Sequence, residues 1–191
     1  MRVHLMLQAP SMDARPALSR ADYLDWEALV DKAQPARMAL LSFEVQAGPG
    51  GTICASSHPA AVATAQRIFP DRRVEVKTQY REIQLSPPRL PGRWRPKTWR
   101  SLSLLLWMLR PEGGEAAEEA RRRVIDTTGR LIGLAKEHDE AILIGGPSLL
   151  RLVALKLNSL GFRGPLFSSF KPGVLTTYLS DLPSRSERAK P

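Results

Sequence analysis

The sequence predicts an α/β protein: a three-layer sandwich with a mostly parallel central sheet and helices on both faces. Short apolar runs of strand length alternate with longer segments whose apolar residues recur at three and four. Strand, helix, strand in that order calls for crossover connections, hence a parallel or mixed sheet covered on both sides. The chain of 191 residues, 43% hydrophobic and 25% charged, suits a soluble domain with its own core. We read 1–182 as one domain with a basic Pro/Trp-rich insertion at about 84–111, and 183–191 as a flexible basic tail.

The elements follow in order. Met1 to Leu7 is a short apolar run suited to a central strand, broken by Pro10. Ser19, with Asp22 three residues on, caps a helix whose apolar stripe is Tyr23, Trp26, Leu29 and Val30. Met38 to Val45 reads as a strand, and Gly48-Pro49-Gly50-Gly51 as a turn. "TICAS" is a second buried strand, and a helix with Pro59 near its start turns Ala61, Val62, Ala65, Ile68 and Phe69 inward. The stretch 86–96 is proline-rich and irregular. A helix from about Lys97 to Leu109 buries Trp99, Leu102, Leu105, Leu106 and Leu109. The next, from about Glu115 to Glu137, repeats Ala117, Ala120, Val124, Thr127, Leu131 and Leu134 on one packed face. "AILIG" is a buried strand; Pro147 opens its helix and Gly161 stops it. "VLTTYL" is the last strand. Ligands in such sheets bind beyond the carboxyl ends of the strands, which gathers Leu7 to Pro10, Ser56 to Ala60 and Gly145 to Ser148.

The formal net charge is +9, and it is unevenly placed. From Arg67 to Arg110 there are 11 Lys/Arg against three acids, a local excess of +8. Such a face attracts acidic proteins or phosphorylated ligands, or is simply solvated. No zinc-finger spacing, RNP-like aromatic strand or basic zipper supports nucleic acid. The single cysteine, Cys54, excludes an internal disulfide and fits a reducing cytoplasm. The N-terminal apolar run is too short for a signal peptide, and the longest apolar block, Leu104 to Leu109, cannot cross a bilayer. The expectation is a cytoplasmic protein with no membrane span.

Five motifs in sequence order carry a resemblance. They are "MRVHLMLQAP" at the first strand, "SSHPAAVATA" from Ser56 to Ala65, "YREI" from Tyr80 to Ile83, "GEAAEEARRRV", and "LIGGPSLLRLVALKLNSLGFRGP". Together they resemble the histidine phosphatase superfamily, also called phosphoglycerate mutase-like, over nearly the whole chain. The insertion "RLPGRWRPKTWRSLSLLLWML" is similar to that of a bacterial branch. The resemblance implies a pocket in which a first-strand histidine attacks phosphorus. Two arginines and a second histidine neutralise the phosphoryl oxygens, and a glutamate protonates the leaving group.

Carried over by position, the nucleophile falls on Gln8 and the arginine before it on Leu7. The second arginine falls on Ala60, and the second histidine on Gly146; the acid alone is kept, as Glu82. A carboxamide forms no stable phosphoryl adduct, and losing even one electrostatic contact costs about 10²–10³ in rate. The expectation is a pseudoenzyme: a binding or scaffolding module for a phosphate-containing small molecule or an acidic protein. The basic insertion around Arg89 to Arg100 is its contact surface. One alternative is a residual phosphomonoesterase acting through His58 or Glu82; a second is charge-driven association with nucleic acid.

Candidate ligand-binding residues are Gln8, Ser57, His58, Glu82, Ser148 and Arg151, with no metal and no cofactor. Each also has a plain reading. His58 lies near a helix start, as a cap or surface histidine would. Glu82 could be a structural acceptor, and Arg151 a solvated arginine. Ser148, beside backbone N–H groups at a helix start, could help bind an anion. His4 reads as packed, His138 as exposed and Cys54 as core. Oligomeric state is left open.

Overall fold

The computed structural model describes residues 1–10, 16–32, 51–109, 117–166 and 170–181. Strands β1 (Arg2–Leu7), β2 (Thr52–Ser56), β3 (Val74–Lys77), β4 (Glu140–Gly145) and β5 (Thr176–Leu179) form one sheet in the order β3-β2-β4-β1-β5. The first four run parallel; β5 lies antiparallel along β1, pairing His4 with Thr177. Helices α1 (Arg20–Lys32), α2 (Pro59–Ile68), α3 (Pro96–Leu109), α4 (Ala117–His138) and α5 (Pro147–Ser159) complete the α/β fold.

Strand alternation sorts the core into two layers. Val3, Leu5, Cys54, Ala141 and Leu143 face α4 and α5, where Val124, Leu131, Leu134, Leu149, Val153 and Leu157 are buried. Met6, Ile53, Ala55, Ile142 and Ile144 face the other way, against Ala61 and Ala65 of α2 and Phe69 just past its end. A strand buried on both sides must be apolar at successive positions, which is why β4 is enclosed at all six residues. No helix among the described residues is long and apolar enough to cross a membrane.

Helix starts follow their local chemistry. Asp22 N–H donates to Ser19 Oγ at 3.2 Å and Ser19 N–H to Asp22 Oδ2 at 3.3 Å, a reciprocal capping box. Gly161, at φ +87°, follows the end of α5 in the left-handed conformation that glycine adopts most readily.

Two helix faces differ from expectation. On α3 the buried residues are Trp99, Ser103, Leu104 and Trp107, whereas Leu105, Leu106 and Leu109 are exposed and Leu102 is half-buried. From Leu104 to Leu109 every residue of the helix is apolar, so this half carries no periodic signal of which side turns inward. The choice is made by neighbours: Trp99 stacks on Tyr23 of α1 with ring centroids 5.9 Å apart, and its Nε1 donates to Leu18 O at 2.9 Å. On α1, Tyr23 is buried but Leu29 is exposed. On α2, Thr64 is buried while Val62 and Ile68 are only half-buried. The α4 stripe Ala120, Val124, Thr127, Leu131 and Leu134 is buried as expected; the Ala117 side chain lies outside the described set. So do the strand read at Met38 to Val45, the turn residues 48–50 and the tail 183–191.

The 86–96 stretch is irregular, and it is tied down. Leu18 and Trp94 exchange backbone hydrogen bonds of 2.8 and 2.9 Å, and Arg20 Nε donates to Pro87 O at 3.0 Å. These bonds lay the insertion against the entry to α1.

Candidate functional site

The sheet order puts the carboxyl ends of β1, β4 and β2 side by side, so the three turns meet. Leu7 pairs with Gly145 in register, and Gln8 N–H donates to Gly145 O at 3.0 Å. Beyond β2, Ser56 Oγ accepts from His58 N–H at 3.1 Å as the chain turns into α2.

His58 caps α2. Its Nδ1 accepts from Ala60 N–H at 3.1 Å, and the Gln8 amide nitrogen stands 3.4 Å from the same atom. The acceptor role of Nδ1 places the proton on Nε2, which faces Val30 O at 3.2 Å. Both nitrogens are thus engaged. Burial holds the imidazole below its usual pKa, against the pull of the Val30 carbonyl and Asp31.

Glu82 enters from the segment after β3. Its Oε1 accepts from Ser148 N–H at 2.7 Å, satisfying one of the open donors at the start of α5, whose N-cap Gly146 has no side chain to do so. The carboxyl lies directly over Gly146: a Cβ there would overlap Oε2 and come within 2.8 Å of Cδ. Oε2 is enclosed and has no hydrogen-bond partner among the described residues. Burial pushes the Glu82 carboxyl above its usual pKa, while the positive charge of Arg100 and the Ser148 hydroxyl and N–H pull the other way. Ser148 is 1% exposed, and its Oγ completes no hydrogen bond of normal geometry among the described residues.

Two arginines border this ground, and α1 supplies a carboxylate to each. Arg81 forms a two-pronged bond to Asp31 at 2.9 and 3.0 Å. Arg100 pairs with Glu27 at 3.8 Å, and Tyr23 donates to Glu27 at 2.8 Å. Neither guanidinium stands as an uncompensated cation.

The other expected residues are dispersed. Ser57 is half-buried at the edge of the turn, its N–H on Lys77 O at 3.2 Å, and Arg151 is half-buried one turn into α5. His4 is buried away from the three turns, its Nδ1 3.0 Å from Thr177 Oγ1 and its Nε2 3.0 Å from Glu140 Oε2. His138 ends α4 with its side chain 46% exposed. Cys54 is a buried free thiol whose pKa burial pushes up to about 11. The described residues contain no group of three or more His, Cys, Asp or Glu able to hold a metal ion.

Three contributors were not read from the sequence. Thr64 accepts from Ala9 N–H at 2.9 Å and donates to Ala60 O at 2.5 Å, joining the first turn to α2. Arg123 donates to the carbonyls of Arg81 at 2.8 Å, Gln79 at 3.4 Å and Glu82 at 3.5 Å, holding the segment that carries Glu82. Glu27 and Asp31 are the third case. A buried threonine on an apolar helix face and an arginine at the start of a packed one were the available signals.

Comparison with known proteins adds the following. No protein-family model matches the sequence, and no curated protein matches it. Among solved structures, the chain is similar to a phosphoserine phosphatase from Entamoeba histolytica in complex with 3-phosphoglyceric acid. Identity is 14%, coverage 93% of this chain and 90% of that one, and the TM-score 0.49. It is also similar to YhfR of Bacillus stearothermophilus, at 15% identity, 96% and 93% coverage and a TM-score of 0.49. A third neighbour is the mycobacterial glucosyl-3-phosphoglycerate phosphatase, at 18% identity, 82% and 78% coverage and a TM-score of 0.43. These neighbours are members of the histidine phosphatase superfamily.

Proposed function

We propose that this protein is a catalytically inactive, histidine-phosphatase-like binding module whose contact surface is the basic segment around Arg89 to Arg100 and whose partner is an acidic protein. The observation that carries the reading is the Glu82 carboxyl seated over Gly146. Where the sequence resemblance expects a cationic, imidazole-lined pocket for phosphoryl oxygens, a carboxyl fills the room beside Gly146 and leaves no space for them. Gln8 and Ala60 add no charge. His58, the one imidazole at these turns, has both nitrogens committed, which argues against the residual phosphomonoesterase.

The basic segment supports the binding half of the reading. Arg89, Arg93, Arg95 and Lys97 are exposed, and Trp94 among them is 42% exposed. Hydrogen bonds to Leu18 and Arg20 hold this stretch in place, so less entropy is lost when a partner docks. A free, buried Cys54 supports placing the protein in a reducing cytoplasm.

Two measurements test this. Turnover of an aryl phosphate by the purified protein should stay at the buffer rate. Turnover that disappears in Glu82→Ala or His58→Ala overturns the reading. A polyglutamate peptide should bind with steep salt dependence and lose about tenfold in affinity in the Arg93→Ala/Arg95→Ala/Lys97→Ala variant. Tighter binding of duplex DNA than of polyglutamate would transfer the surface to nucleic acid.

A further inference from the structure

Helices α3, α4 and α5 do not close completely against one another. They leave a groove of about 410 Å³, and none of its lining residues belongs to the three turns. Trp107 and Val124, each 7% exposed, are its most buried walls, and Leu152 and Leu155 of α5 are half-buried beside them. Met108 and Ile125 reach the surface, at 49% and 53% exposure. The apolar ground continues past the groove. Leu105, one turn before Met108 on α3, is 53% exposed although its helix could have turned it inward. Single exposed leucines are ordinary, whereas an apolar cleft with apolar side chains along its edge marks a binding surface.

The rim carries charge of one sign. Arg121 of α4 and Lys156 of α5 line the groove, and no carboxylate does. Neither cation forms an ion pair among the described residues, and Glu118, one turn before Arg121, is paired with Arg122 at 3.3 Å. An apolar floor edged by unpaired cations complements a surface that is apolar in the middle and acidic at its flanks. A helix with leucines at every third and fourth residue and carboxylates on either side has that pattern. A second copy of this chain does not. In a two-fold pair the same patch faces itself, so Arg121 and Lys156 would meet like charges on chains of net charge +9. A lone acyl chain would fill the cleft and leave Leu105 bare.

We propose that this groove is the docking site for an acidic amphipathic helix of a partner protein. The apolar stripe of that helix lies on Trp107, Val124, Leu152 and Leu155, and its carboxylates meet Arg121 and Lys156. Trp107, Val124 and Leu152 belong to the core or pack against it, so the groove is formed in advance and little freedom is lost on this side. The site goes beyond the reading above. It shares no residue with the basic segment 89–100 or with the three turns, so it stands whether or not the chain turns over a phosphate ester.

The test uses the full chain and a synthetic helical peptide of about 15 residues, with leucine along one face and glutamate and alanine elsewhere. Calorimetry gives its affinity, and the methyl resonances of Ile125, Leu152 and Leu155 give its place. It should shift those methyls and bind at least about tenfold more tightly than the same peptide with lysine for glutamate. Met108→Ser/Ile125→Ser, at two exposed positions, should weaken it about tenfold. Arg121→Glu should narrow the preference for glutamate over lysine. The Arg93→Ala/Arg95→Ala/Lys97→Ala variant should bind it as wild type does; a matching loss there would place the peptide on the basic segment and overturn the groove. Equal affinity for the lysine peptide, or binding that leaves the methyls unmoved, overturns it as well. So does polyglutamate moving the same methyls as strongly, since charge alone would then be read. Decanoate that binds more tightly than the peptide would give the groove to a lipid instead. A free chain that sediments as a dimer, and as a monomer once Ile125→Ser is introduced, would give it to a second copy.

Discussion

Two glutamates, Glu140 buried and Glu82 half-buried, are each tucked over a glycine at opposite ends of the sheet. At the amino end, Glu140 opens β4 and fills the space beside Gly51, where a Cβ would meet Glu140 Cγ at 2.5 Å. Its Oε2 bonds His4 Nε2 at 3.0 Å, Oε1 lies 3.8 Å from Arg2, and His4 passes the chain of bonds to Thr177. At the carboxyl end, Glu82 over Gly146 has one bonded oxygen and one orphan. The same pair of residue types thus serves two ends. A buried carboxyl bonded to His4 ties β4 to β1 and, through His4, to Thr177 of β5, while the Glu82 carboxyl ties the segment after β3 to the start of α5.

The largest effect we expect breaks the satisfied end. His4→Leu should strand the buried Glu140 carboxyl and cost about 3 kcal/mol in urea unfolding. Gly51→Ala comes next, at about 2–3 kcal/mol. The added methyl would press on a carboxyl that His4 holds in place and on the Glu140 carbonyl at 3.3 Å. Gly146→Ala should cost less, about 1 kcal/mol, because it meets the carboxyl end of a flexible side chain whose displacement gives up one hydrogen bond, to Ser148 N–H. Equal costs for the two glycine variants would erase the distinction between the ends. His58→Ala should lose a cap of about 1 kcal/mol and leave the Glu82 end intact.

The smallest effect is a pH dependence of opposite sign at the two glutamate ends. Burial lowers the His4 pKa, against the pull of Glu140. Its contribution is therefore present above the ordinary imidazole value of about 6.5 and is lost as pH falls through the lowered one. The Glu82 pKa is raised, with Arg100 of α3, Glu27 of α1 and Ser148 of α5 around it. Its contribution is full below the ordinary carboxyl value of about 4.3 and is lost as pH rises through the raised one. The stability of Glu82→Gln relative to wild type should therefore climb between acid and neutral pH. A flat difference across that range would remove Glu82 from the account.

Much of this layout was legible in advance, for identifiable reasons. The strand runs at Arg2–Leu7, Thr52–Ser56 and Glu140–Gly145 are apolar at consecutive positions because helices cover both faces, and that pattern is unambiguous. The Ser19/Asp22 capping box and Pro147 mark helix starts through contacts made within one turn. The inward side of α3 was not legible, since Leu102, Leu105, Leu106 and Leu109 are as apolar as Leu104 and Trp107. In the candidate site, Gln8, Ala60, Glu82 and Gly146 were picked out by position alone. What Glu82 does there depends on Gly146, 64 residues further along.

By itself the sequence determined strands β1, β2 and β4, the five helices and which residues stand at the three turns, though it gave no sign of β3 (Val74–Lys77). All of these rest on residue identity and near-neighbour periodicity. Only the tertiary structure decided that Gly146 is room for a carboxyl rather than an empty place, and that Arg81 and Arg100 are matched by acids of α1. It also decided that Glu140 is enclosed against His4 whereas Glu82 is half-buried against Ser148. The physical reason is one of range. Capping and periodicity act within a turn or two of the chain, whereas the fate of a buried charge is set by whichever distant groups folding brings within about 4 Å of it.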